Sequence, residues 1–115
     1  MSDLNSVVFA KAMADKKRQE IMRACCCQWV SVGDLAAQTK VSQPTVSHHL
    51  AILREADLVD VRHEGKQSFY TLNQSRVVAC CGQIMLVFAP EVTAEATASA
   101  AATAAATSTM QEALS

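Results

Sequence analysis

Nine consecutive residues, Ser42-Gln43-Pro44-Thr45-Val46-Ser47-His48-His49-Leu50, constrain this chain more than any other stretch. Ser42 is suited to cap a helix, because its hydroxyl can accept from a backbone N–H one turn on. Pro44 falls in the first turn, where its missing N–H costs nothing. Val41 and Val46 flank that cap as a hydrophobic staple. Val46, Leu50 and Leu53 then recur at helical spacing, the stripe of a helix laid on a core.

The other face of the same helix is unusual. Gln43, Thr45, Ser47 and His48 are short or planar hydrogen-bonding side chains at its front, and Arg54 follows at its rear. A merely solubilising face would use Lys and Glu, whereas base edges call for small donors and acceptors near a helix N-terminus, whose dipole also favours phosphate. A short helix over residues 33–39 and a tight Lys40-Val41 turn precede it, which is helix-turn-helix spacing. After it, residues 58–62 and 68–72 alternate like strands, and His63-Glu64-Gly65-Lys66 between them makes a hairpin turn with Gly65 free to take positive φ. A hairpin after such a helix is a wing, with Arg62 and Lys66 at its tip placed to reach a nucleic-acid backbone. Taken without the helix, the same two charges read as ordinary solvated surface.

The flanks complete a mainly α fold with a small β-hairpin wing, a dimeric winged helix-turn-helix. Residues 4–14 read as a first helix, and residues 16–26 as a second, capped by Asp15. Residues 28–32, with Trp29 and Val30, read as a brief strand. A last helix over residues 74–89 presents Val77, Val78, Cys81, Ile84, Met85 and Phe88, more apolar surface than a lone exposed helix carries. Pairing with a second copy, helped by the first helix, is the expected cover, and burial within one chain is the alternative. Composition shifts after residue 90. Residues 93–109 hold nine Ala, five Thr, two Ser and one Glu, so residues 1–90 are expected to form the DNA-binding and dimerisation domain and residues 91–115 a low-complexity tail without assigned role.

The net charge is −1, low for a DNA binder. With Glu91, Glu95 and Glu112 set apart in the tail, eleven acidic residues become eight against ten basic ones. Affinity is then expected to rest on a few placed contacts and on dimerisation. The start has neither a basic nor an apolar signal region, and the longest apolar run, residues 77–90, is too short to span a bilayer. A cytoplasmic location without membrane association is expected, where cysteines serve as ligands or redox sensors more often than as disulfides.

There are five of them: Cys25, Cys26 and Cys27 at the end of the second helix, and Cys80 and Cys81 in the last. Some can be small buried hydrophobes, but a run of three plus a pair is hard to assign to packing. Pairing of the 28–32 strand with the second wing strand brings Gln28 near Leu72-Asn73, where the last helix starts. Both groups are then expected at one junction, forming a three-coordinate site. Thiolates without nearby histidine or carboxylate select soft ions, so trivalent arsenic or antimony is the expected ligand, with Cd(II), Pb(II) or Hg(II) as competitors. A disulfide or polysulfide bridge between the two groups is the alternative. There is no Cys-x-x-Cys, no Gly-rich phosphate loop and no strand–helix alternation around the thiols, so no enzyme is expected.

Three segments resemble the ArsR/SmtB family of metal- and metalloid-responsive repressors: Ala12-Met13-Ala14-Asp15 with Arg18 and Ile21; residues 41–50 with Leu53-Arg54-Glu55-Ala56 and Leu58-Val59; and Glu64-Gly65-Lys66 with Tyr70 and Leu72. The resemblance implies a homodimer that binds operator DNA and leaves when an inducer binds. It directs Gln43, Thr45, Ser47 and His48 to the major groove and the wing to the backbone, with His49 structural; Ser42 at the cap is a further expected DNA contact. Two departures stand out. Many arsenic sensors of the family carry Cys-Val-Cys in the helix before the recognition helix, a region that reads Ser31-Val32-Gly33-Asp34-Leu35 here, and the family's usual Pro-Thr-Arg at the start of the second helix is Lys16-Lys17-Arg18. The first implies that the sensing site has moved; the second adds positive charge that phosphate contacts could use.

Overall fold

The structure is a computed structural model and describes residues 5–95. Its elements run α1 (Ser6–Met13), α2 (Lys16–Ala24), β1 (Val30–Ser31), α3 (Val32–Thr39), α4 (Gln43–Glu55), β2 (Val59–Glu64), β3 (Gln67–Leu72) and α5 (Gln74–Phe88). The chain divides into two compact units between Cys81 and Gly82, a break that falls within α5. The Ala/Thr-rich tail lies largely outside the described residues.

Local chemistry sets each boundary. Asn5 caps α1, its Oδ1 accepting from the amides of Val7 and Val8 at 3.0 and 3.2 Å. Asp15 caps α2 by accepting from Arg18 N at 3.0 Å, and Ser42 caps α4 by accepting from Thr45 N at 3.3 Å. α3 ends at Lys40, whose φ of 60° makes the tight turn between the two helices of the motif. β1 is shorter than the alternation suggests, because Ser31 ends the strand and also caps α3, accepting from Asp34 N at 3.1 Å.

The three strands form an antiparallel sheet in the order β1-β3-β2. Val30 faces Tyr70, and Glu64 faces Gln67, which leaves Gly65 and Lys66 as a two-residue hairpin loop. Gly65 has φ of +61° at the first central position, a conformation that L side chains resist. The expected four-residue turn is therefore tighter, and both wing strands are longer.

The core gathers around α4. Val46, Leu50 and Leu53 are at most 1% exposed, as are Ile21 of α2, Leu35 of α3 and Leu58 after α4. Basic residues brace the helix junctions. Arg18 donates from Nε to Ala12 O at 2.7 Å and from an Nη to Lys11 O at 3.0 Å, satisfying carbonyls at the end of α1. Its other Nη stands 3.2 Å from His49 Nδ1, tying α4 to the same point. Lys17 donates to Thr39 O at 2.9 Å at the end of α3. The extra charge expected to serve phosphate contacts is thus partly spent inside the fold.

Candidate functional site

With Val46, Leu50 and Leu53 turned inward, α4 leaves Gln43, Thr45, Ser47 and His48 exposed. No acidic residue stands in its first turn, so the positive end of the helix dipole is uncompensated. Ser42 Oγ and Thr45 Oγ1 are 2.9 Å apart, so both hydroxyls at the cap are locally ordered. A polar groove of about 360 Å³ runs from α4 to the wing, and Gln43, Ser47, Lys66, Gln67 and Ser68 line it. The recognition-helix candidates and the wing tip thus share one surface. His49 is half-buried against Arg18, and burial lowers its pKa while Asp15 opposes the shift.

Arg62 departs from expectation. It lies in mid-strand opposite Phe69, not at the tip. Its guanidinium is 4.7 Å from the Trp29 ring centroid and 5.8 Å from that of Phe69, and its Nε is 3.1 Å from a Glu64 oxygen. Stacking and ion pairing make it a brace at the root of the wing. Lys66 alone of the two occupies the tip. Arg54 is exposed in the last turn of α4.

The thiols separate into different roles. α2 stops at Ala24, so Cys26 and Cys27 belong to a turn and not to the helix. Cys25 is fully buried, its Sγ 3.8 Å from Met22 O. Burial pushes its thiol up to about 11, which keeps it neutral and unreactive. Its carbonyl accepts from Leu72 N at 3.0 Å and Thr71 Oγ1 at 3.2 Å, fastening the turn to the end of β3. Cys80 is 2% exposed and packs as a small hydrophobe, while Cys81 is exposed.

Cys26 and Cys27 are both exposed, with their sulfurs 3.6 Å apart. That hydrogen-bonded proximity raises the Cys26 pKa. Cys27 has φ of 71°, a left-handed conformation that costs a residue with a Cβ about 1–2 kcal/mol. Gln74 Nε2, in the first turn of α5, donates to Cys27 Sγ at 3.0 Å. The junction between the cysteine run and the last helix therefore exists where pairing of β1 with β3 places it. The sulfur cluster drawn from both groups does not: among the described residues, no three His, Cys, Asp or Glu side chains stand close enough to hold a metal ion. Cys25 and Cys80 went to the core instead. Gln74 is the participant that sequence reasoning missed, since a lone glutamine carries no signal for sulfur.

Comparison with known proteins agrees with this geometry. A family model described as bacterial regulatory protein, arsR family, matches residues 15–61. The transcriptional activator HlyU of Vibrio cholerae is 40% identical over 74 residues, which are 64% of this chain and 68% of that protein. The chain belongs to the ArsR family. A biofilm growth-associated repressor of Agrobacterium fabrum is 44% identical over 62 residues, 53% of each protein, so the match spans about half of that relative. Reduced HlyU superposes with a TM-score of 0.59 at 36% identity, covering 72% of this chain and 87% of HlyU. A homodimeric winged helix-turn-helix DNA-binding domain from Mycobacterium bovis gives 0.59 at 25% identity, covering 70% and 75%. This ArsR-family chain is accordingly a winged helix-turn-helix transcriptional regulator. No helix among its described residues is long and apolar enough to cross a membrane.

The burial pattern makes a prediction for a thiol-specific reagent under reducing conditions followed by reductant removal. Cys26 and Cys27 should react promptly, and Cys25 and Cys80 only after unfolding. Because the folded pKa of Cys25 is raised from 9.0 to about 11, its contribution to stability is present below 9 and lost as pH rises toward 11. Denaturant titrations across that window should show a decline that is smaller in Cys25→Ala.

Proposed function

We propose that this protein is an operator-binding repressor, acting as a homodimer, that releases DNA when trivalent arsenic or antimony is captured by Cys26 and Cys27. The observation that carries the sensing half is the exposed sulfur pair at 3.6 Å, hydrogen-bonded through Cys27 to the start of α5. With metal–sulfur bonds of roughly 2.3 Å, as in thiolate sites generally, that spacing closes an S–M–S angle of about 100°. A pyramidal trivalent metalloid accepts such an angle without moving either sulfur. Linear two-coordinate Hg(II) needs the sulfurs about 4.6 Å apart on the same bond length; Cd(II) and Pb(II) remain competitors in the soft class.

DNA reading is assigned to Ser42, Gln43, Thr45, Ser47 and His48 in the major groove, with Lys66 on the backbone and Arg54 flanking. The groove shared by Gln43, Ser47 and Lys66 supports this assignment. Exposed Val78, Met85, Leu86, Val87 and Phe88 on α5 favour pairing with a second copy. Two recognition helices then sit about 34 Å apart, matching successive major grooves. A ligand on Cys27 displaces the Gln74 amide, and a shift of α5 alters that spacing. Lowering operator affinity about 100-fold requires roughly 2.8 kcal/mol of differential binding. A second reading uses the same pair without a metalloid: oxidation by a peroxide or polysulfide joins the sulfurs and releases the same hydrogen bond.

Ser47→Ala should reduce the preference for operator over unrelated duplex by about 1 kcal/mol, the worth of one hydrogen bond. Lys66→Ala should weaken binding to all sequences and reduce the salt slope by about one; an unchanged slope would show that the wing does not touch phosphate. Arsenite or antimonite should release the operator under strict reduction, and Cys26→Ser or Cys27→Ser should abolish the effect. Release only by oxidants, with no response to arsenite in reductant, would favour the disulfide reading.

A further inference from the structure

A helix seated in a major groove has a sugar–phosphate strand on either side of it. The groove is about 12 Å wide and a helix with its side chains about 10–12 Å across, so both walls come within reach. Lys66 serves one of them. Gln43 and Ser47 share a polar groove with it, which puts the wing on one flank of α4.

Helical geometry identifies the other flank. At about 100° per residue, Thr45 points about 160° away from Ser47. His49 lies one turn on from Thr45, and its Nδ1 is 3.2 Å from Arg18 of α2. The flank away from the wing is therefore formed by the start of α2 and by the turn that ends α3. Lys17 ties these two segments together, donating to Thr39 O at 2.9 Å, and so brings Lys16 and Lys40 onto one patch. Both of these lysines are exposed. The acidic residues beside them are already engaged: Asp15 accepts from Arg18 N at 3.0 Å and stands 3.8 Å from its guanidinium, and Glu20 pairs with Lys17 at 3.0 Å. Neither Lys16 nor Lys40 joins any of the ion pairs found among the described residues.

We infer that Lys16 and Lys40 form a second phosphate-contact surface, which grips the backbone strand on the side of the major groove opposite Lys66. The inference rests on the operator-binding reading above and supplies the other half of its hold on each half-site. It also answers the charge question. With a net charge of −1 the chain has no broad positive field, so affinity depends on how many individual phosphates are neutralised and how many counterions are released. Phosphate contacts carry no sequence information and fix register and orientation. The pair therefore sets affinity and seating, and base preference stays with the front of α4.

The test uses the full chain and a duplex selected by the unaltered protein from a random pool, with affinity measured across a series of salt concentrations. Lys16→Gln and Lys40→Asn each remove one charge, and asparagine tolerates the left-handed backbone at position 40, where φ is 60°. Each should lower the slope of log affinity against log salt by about 0.9 per bound subunit, leaving the ratio of selected to unrelated duplex unchanged. Arg23→Gln removes the same charge from an exposed site at the far end of α2 and should leave the slope as it was. Duplexes carrying single methylphosphonates, which are neutral, give a second readout on the unaltered protein: binding should weaken for substitutions on both strands that bound the groove. Lys66→Ala should remove that sensitivity on one strand, and Lys16→Gln on the other. Wild-type slopes in both lysine variants, an equal loss in Arg23→Gln, or sensitivity confined to one strand would overturn the second surface. If Lys66→Ala still lowers the slope, the operator reading stands. Failure to select or bind any duplex would overturn both.

Discussion

Burial of one stripe on α4 is the constraint on which the remainder depends. Val46, Leu50 and Leu53 are at most 1% exposed, and removing any one leaves a core cavity that costs a leucine site about 2–5 kcal/mol. That penalty fixes the rotation of α4 about its axis. Once the rotation is fixed, Gln43, Thr45, Ser47 and His48 have only one direction to face. The Ser42 cap fixes where the helix begins, and so which N–H groups point outward with them. Arg18 locks the arrangement from behind by joining the end of α1 to His49. The surface we propose to read DNA is thus a consequence of core packing, with few residues of its own to hold it in shape.

A second consequence concerns the thiols. The Cys25 carbonyl is held by Leu72 N and Thr71 Oγ1, so the turn after α2 cannot drift from the end of β3. Cys25 itself must then point into the core, and Cys26 and Cys27 are left on the outside with their sulfurs 3.6 Å apart. The left-handed φ of Cys27 is tolerated because the pairing on either side over-determines it. Gln74 connects this turn to α5, which makes α5 the natural carrier of any change at the sulfurs. In this account the sheet does more than present a wing: β3 borders both the wing tip and the thiol turn, and it holds them at opposite ends of one element.

Much of this was legible in residues alone. Cap residues Asp15 and Ser42 and the spacing of Val46, Leu50 and Leu53 are local signals, and they located the central helices to within a residue or two. The strand pairing that joins residues 28–32 to the second wing strand was also foreseeable, because a winged helix permits little else. What escaped notice depended on tertiary contacts. β1 shrank because Ser31 serves two elements. Arg62 looked like a tip charge until Trp29, far away in sequence, supplied a ring for it to stack on. Five cysteines looked like one site, but register put Cys25 and Cys80 in the core, and helical phase could not foretell that α2 would stop before Cys26. The part played by Gln74 becomes visible only when the turn after α2 and the start of α5 are assembled.

The central claim is that one face reads DNA while a separate turn receives the thiol ligand, each fixed by packing. Backbone amide resonances followed during titration with a short operator duplex test this directly. The account predicts that the earliest and largest shifts fall on Gln43 to His48 of α4 and on Gly65 to Gln67 of the wing, with Cys26 and Cys27 little changed at first. Shifts centred on α1 and the cysteine turn, with the front of α4 silent, would contradict it.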